Sequence, residues 1–244
     1  MGANKGLIRA CKYSMPANML GYCGACNFSE LFKDYLEKPS ETKEKEVVQA
    51  LQTFKGLYSY LKLIAEANSL NEFDARVVEA YWLGNSLLEN VQLSDVKKLI
   101  MEDFKMLPPS IRKEKAAFLR DKAFVHHSFH VLFIQFLTKK LAPILKNLDS
   151  CIIKWGKLLE RKKDKLKVKS IALMYEASQL KLIEKRMLIN NNQFIEEPKK
   201  GMLLSIHWNH AIEEIDASQL KALKKYTLAN LKLVNAYSKW KATF

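Results

Sequence analysis

The apolar positions change period near residue 148. Before it they follow helical spacing. Between Lys45 and Asn68, Val47, Val48, Leu51, Phe54, Leu57, Tyr58, Leu61 and Ile64 share one broad face, which predicts an amphipathic helix. A second helix is expected from about Glu72 to Trp82, stopped by Gly84-Asn85. A third is expected from the Ser94-Asp95 cap to about Lys105, ahead of Pro108-Pro109. Residues 110–146 read as two helices, or one long helix bent near Pro143.

After Asp149 the pattern becomes short and alternating. Cys151–Leu159, Lys165–Leu173 and Gln179–Leu188 read as strands joined by charged turns, with a further strand over Met202–His207. In Lys165-Leu-Lys-Val-Lys169 lysines alternate with apolar residues, as on a half-solvated strand. Asn190-Asn-Asn192 reads as a turn. From Asp216 the helical period returns through Leu220, Leu223, Tyr226, Leu228, Leu231 and Val234. The pattern predicts an α+β chain: an all-helical domain over residues 1–148, a small OB-like β-barrel over 149–216, and a C-terminal helix over 217–244. A closed barrel has no free sheet edges, so so short a segment can form a compact unit.

Composition narrows the class. With 48% apolar and 27% charged residues and few glycines or prolines, the chain reads as globular. The most apolar segment, about Ala123 to Leu137, contains three histidines, which argues for a buried helix rather than a membrane span. Four cysteines and no recognisable export signal predict reduced thiols in the cytoplasm. The formal charge is +14, with 19 basic and 10 acidic side chains over residues 149–244. That excess suits an acidic partner, an anionic surface or nucleic acid. Nucleic acid is the weakest of these, because the strands lack the aromatic pairs that stack bases. There is no glycine-rich phosphate loop and no Gly-x-Ser-x-Gly elbow, so a binding role is expected ahead of an enzymatic one.

The five histidines fall in two clusters, His126/His127/His130 and His207/His210. On a helix His126 and His130 share a face, the spacing of helical metal sites, while His127 points about 100° away. Cys23, between glycines, could approach that face and complete a Cys23/His126/His130 site for zinc, iron or nickel, with Glu79 as a further ligand. The competing reading makes both histidines core residues among Phe124, Phe129, Phe133 and Phe136, bonded to backbone carbonyls. Cys23-Gly-Ala-Cys26 is a CxxC pair, a weak motif alone.

The β segment opens Cys151-Ile-Ile-Lys-Trp-Gly156 and closes Gly201-Met-Leu-Leu-Ser-Ile-His207-Trp-Asn-His-Ala211-Ile-Glu-Glu-Ile215-Asp216. In both ends it resembles the HypC/HupF-type chaperones of nickel–iron hydrogenase maturation. The resemblance implies an assembly chaperone whose cysteine and histidine, here Cys151 and His207, hold an iron carrying cyanide and carbon monoxide. It also implies a hydrogenase large subunit or a maturation scaffold protein as partner. Two departures stand out: Cys151 is internal rather than N-terminal, and Trp155 stands where the family has proline. The whole chain also resembles an uncharacterised bacterial family whose members accompany hydrogenase genes, through Gly21-Tyr-Cys-Gly24, Val77–Asn85 and His126-His-Ser-Phe-His130-Val131. The alternative function is a helical metal-binding protein or metalloenzyme using Cys23, His126 and His130.

Overall fold

The computed structural model describes residues 4–135, 141–191 and 194–237. Phe136, Leu137, Asn192 and the tail expected to complete the last helix, residues 238–244, lie outside them. The helical part comprises α1 (Lys5–Met19), α2 (Ser29–Glu37), α3 (Glu41–Gln52), α4 (Lys55–Glu66), α5 (Ala75–Trp82), a 3-10 turn (Ser86–Glu89), α6 (Leu93–Glu102) and α7 (Pro109–Phe118). A short α8 (His127–Phe129), a π-helical turn (His130–Ile134) and α9 (Leu145–Cys151) lead to the sheet. Strands β1 (Lys154–Lys162), β2 (Lys165–Glu176), β3 (Gln179–Asn191), β4 (Leu203–His207) and β5 (His210–Glu214) precede α10 (Ala217–Ala236).

Several elements depart from the apolar pattern for local reasons. The helix expected over Lys45–Asn68 is two, because the chain breaks at Thr53-Phe54, where Phe54 leaves helical geometry and turns its ring into the core. The third helix starts at Leu93, with Gln92 rather than Ser94 before it. Pro109 then opens α7 at its first turn, where the missing N–H costs nothing. Over its described part, residues 123–135, the long buried helix expected for Ala123–Leu137 is a cap, one α turn and one π turn. Cys151 ends α9 instead of opening a strand, and β1 starts at Lys154. Asn190 and Asn191 extend β3 rather than forming a turn, and β5 was not foreseen.

The strands pair in the order β1-β2-β3-β5-β4, and β4 pairs back with β1 to close the barrel. The β4–β5 hairpin turns on Trp208 and Asn209, both at left-handed φ (48° and 61°), as a two-residue primed turn requires. A bulky residue in that region is strained. Trp208 is held there by its N–H, which donates to Ser150 O at 2.8 Å, and by its ring, 4.9 Å from that of Tyr22.

Two apolar cores result. Leu158, Leu166, Val168, Ile189, Leu204, Ile206 and Ala211 fill the barrel. The larger core combines the helices with the far ends of β2 and β3 (Leu173, Leu180), with Trp208, Ile212 and Ile215, and with Leu223 and Tyr226 of α10. The boundary expected at 148/149 falls inside α9, and Leu148, Cys151, Ile152 and Ile153 all lie in this shared core. Helix α1 forms the bridge. Arg9 pairs with Glu79 (2.9 Å) of α5 and Glu213 (3.0 Å) of β5, and the Tyr13 hydroxyl bonds Ser205 Oγ at 2.7 Å. The barrel is therefore fixed against the helices at the end of β4, where His207 sits.

Candidate metal centre

Three side chains from distant parts of the chain meet under α1. The imidazoles of His127 and His207 and the Cys151 sulfur each offer a ligand atom, all within 4.8 Å of one another, and all three residues are buried. Each arrives by a different device. His127 opens α8, Cys151 ends α9, and His207 ends β4 beside the strained Trp208-Asn209 turn. The Trp208 N–H bond to Ser150 O ties that turn to the residue before Cys151.

The second ring nitrogens are already committed. His207 Nδ1 donates to Tyr13 O at 2.7 Å, which leaves its Nε2 as acceptor; that atom is buried and has no hydrogen-bond partner. His127 Nε2 lies 2.9 Å from Cys151 O, which can only accept, so in the metal-free chain Nε2 carries the proton and donates to that carbonyl, 3.8 Å from Cys151 Sγ. Nδ1 then accepts from the Tyr81 hydroxyl at 2.9 Å, and Tyr81 also lies against Gly56 O. Tyr81 and His127 together carry two protons for three contacts. A third proton would make His127 an imidazolium, which burial opposes. A cation at Nε2 would displace that proton to Nδ1, which would then donate to Tyr81 as Tyr81 donates to Gly56 O. Ligating histidines characteristically give their other N–H to a carbonyl or hydroxyl; His207 does so to Tyr13 O, and His127 would do so to Tyr81 with a cation at Nε2.

Burial sets the protonation states. It pushes His127 well below its ordinary value, helped by the neighbouring His207 and His130 rings. His207 falls to about 4 through burial, against the pull of the Tyr13 carbonyl, and burial also takes His130 to about 4. Neutral imidazoles present the lone pairs a metal needs. Burial raises the Cys151 thiol well above its ordinary range, Cys23 adds to that, and the Trp208 indole opposes it. Thiolate formation at Cys151 therefore needs a cation to compensate it.

The triad lines a cavity of about 240 Å³, whose wall also includes Cys23, Gly24, Gly56, Tyr81, Trp82 and His130. Trp82 packs closely on His127, with ring centroids 4.5 Å apart, and its indole Nε1 is buried without an acceptor. Gly56 is required beside His130, since a Cβ there would come within 2.6 Å of His130 Nε2.

Of the residues singled out in the sequence, Cys151, His207, Cys23 and His130 line this one cavity. His126 does not join them. It caps α8 with Nδ1 against Ser128 and directs Nε2 to Trp82 O at 3.0 Å, the role of a structural core histidine. The expected helical face shared by His126 and His130 does not exist, because the segment is a cap followed by a π turn. Glu79 is also elsewhere, bound to Arg9 and Gln219. Cys26 is exposed and Cys11 is buried in the core. His127 and Tyr81 were not foreseen as site residues. The His126-His127 pair was the available signal, and the choice between them rested on the helical phase.

Residues 2–241 match a family described as a family of unknown function, DUF6390. The chain belongs to this family. No curated protein and no solved structure matches it. Among the described residues of this family member, no helix is long and apolar enough to cross a membrane.

Proposed function

We propose that this DUF6390 protein is a cytoplasmic metallocentre-assembly chaperone for a nickel–iron hydrogenase, holding an iron fragment as cargo on Cys151, His207 and His127. The observation that carries this reading is the meeting of those three ligand atoms within 4.8 Å in one cavity. Cys151 and His207 are the two residues to which the resemblance to HypC/HupF-type chaperones assigns the iron. The closed strand order supports the OB-like form of barrel that the resemblance implies.

The chemistry of the donors agrees. One thiolate with two imidazoles favours a soft or borderline transition metal over magnesium or calcium. Three protein ligands leave coordination positions open, as at sites that exchange ligands rather than purely structural ones. The cavity of about 240 Å³ is larger than a bare ion needs, and the Trp82 N–H offers a donor to an acceptor such as a cyanide nitrogen. Since Cys151 is internal, no free α-amino group takes part, and His127 from the helical part supplies the third position. The partner is a hydrogenase large subunit or a maturation scaffold protein, and the basic surface of residues 149–244 suits an acidic face on it.

The test is hydrogenase maturation in cells whose only copy of the gene carries Cys151→Ala, with co-purification of the large subunit or scaffold by the wild-type protein. Loss of mature hydrogenase with the variant still folded is expected. Full hydrogenase activity in that strain would sink the proposal.

A further inference from the structure

We infer that Cys23 is the entry ligand of this centre, taking a thiophilic divalent metal at the mouth of the cavity and passing it inward to Cys151, His127 and His207. The inference rests on the metal-binding reading above and adds the route by which the metal arrives.

Three observations carry it. Cys23 shares the cavity with the triad but is not one of its three clustered ligands, and it is part-exposed whereas Cys151 is only 4% exposed. The residue nearer the surface is the one an incoming metal meets first. Second, the loop carrying it is built in place rather than loose. The buried Asn18 amide donates to Cys23 O (2.7 Å) and Cys26 O (2.8 Å), and Asn18 Oδ1 accepts from Phe28 N at 2.6 Å. Gly24, at φ +85°, fits so closely that a Cβ would lie 2.7 Å from the Phe54 ring and 2.9 Å from Asn18 Nδ2. That packing fixes the Cys23 backbone at the cavity wall. Third, His207 Nε2 is buried, unpartnered and part of the same cavity, so a destination for the metal lies beyond Cys23.

The transfer balances without an oxidant or reductant. Cys23 gives its thiol proton to solvent as its sulfur bonds the metal. Cys151 then loses its own proton as its sulfur bonds the metal, the Cys23–metal bond breaks, and Cys23 regains a proton. One proton leaves per metal bound, and the metal's oxidation state is unchanged.

Cobalt(II) added to the full-length reduced protein tests this, because thiolate-to-cobalt absorption reports each sulfur as it binds. Wild-type protein is expected to take up one cobalt per chain. Cys23→Ser is expected to reach the same stoichiometry and final spectrum, but about tenfold or more slowly in stopped-flow mixing, the rate effect of losing about 1.4 kcal/mol at the barrier. Gly24→Ala, which displaces the loop and keeps the thiol, is expected to slow loading in the same direction. A Cys23→Ser protein that loads at the wild-type rate overturns the entry role. One that binds no cobalt at equilibrium also overturns it, by making Cys23 a resident ligand. Failure of folded wild-type protein to bind cobalt would instead overturn the metal-binding reading beneath it.

Discussion

Cys151 Sγ lies 3.8 Å from His127 Nε2, across 24 residues of sequence, and the same imidazole nitrogen is 2.9 Å from the Cys151 carbonyl. A cation replacing the Nε2 proton there would sit between a sulfur and a carbonyl oxygen, and His207 Nε2 would complete its surroundings.

The adjacent histidines should therefore behave differently. His127→Ala is expected to remove metal binding. His126→Ala is expected to keep it while losing about 1–3 kcal/mol of stability through the unpaired Trp82 carbonyl. Elemental analysis of purified protein with parallel urea unfolding separates them. Equal metal loss in both variants would contradict the assignment.

Tyr81 would accept the Nδ1 proton of a metal-bound His127 while giving its own to Gly56 O. Tyr81→Phe removes no ligand, yet it is expected to weaken metal affinity about 10–100-fold, the usual effect of losing such a supporting group. Competition with a chromogenic chelator reads this directly.

Stability should fall on mild acidification. His126, held at about 3, and His130 and His207, held at about 4, stay neutral in the fold because burial disfavours their charged forms. Unfolded histidines take up protons below about pH 6.5. Their contribution is fully present above that value and is lost progressively as pH falls towards the folded values. The urea midpoint of the metal-free protein is expected to drop between about pH 7 and 5, and bound metal should lessen the drop at its onset by stabilising the neutral rings. A flat midpoint across that range would contradict the buried, neutral cluster.

Asp149 holds α9 against the barrel. Its carboxylate pairs with the fully buried Lys154 at 3.0 Å and accepts from Leu173 N at 2.6 Å. Asp149→Ala strands a buried charge, so a loss of about 3–5 kcal/mol is expected, with weakened metal binding because α9 carries Cys151. Thermal unfolding and cobalt titration check the two effects together.

Much of the architecture was legible in the chain because it depends on neighbours in sequence. The 3.6-residue period over most of residues 1–118, the alternation after Asp149 and the Asp216 cap are local signals. Asp216 and Gln219 do form a capping box at the start of α10. Cys23 and His130 could also be picked out by type and spacing, and Cys151 and His207 through the resemblance carried by the two ends of the β segment; all four line one cavity.

What sequence alone left open was the partnership among them. An apolar run such as Ala123–Ile134 is compatible with a long helix, and on that helix His126 would join His130. Its actual cap and π turn place His127 at the site instead. Only tertiary packing decides this, because the contacts selecting His127 come from Tyr81 on α5 and Cys151 on α9, whereas His126 is claimed by the Trp82 carbonyl. Local periodicity indicated most of the helices and strands, though not their breaks and ends. The centre itself depends on where α1, α5, α9 and β4 converge, and no local pattern encodes that convergence.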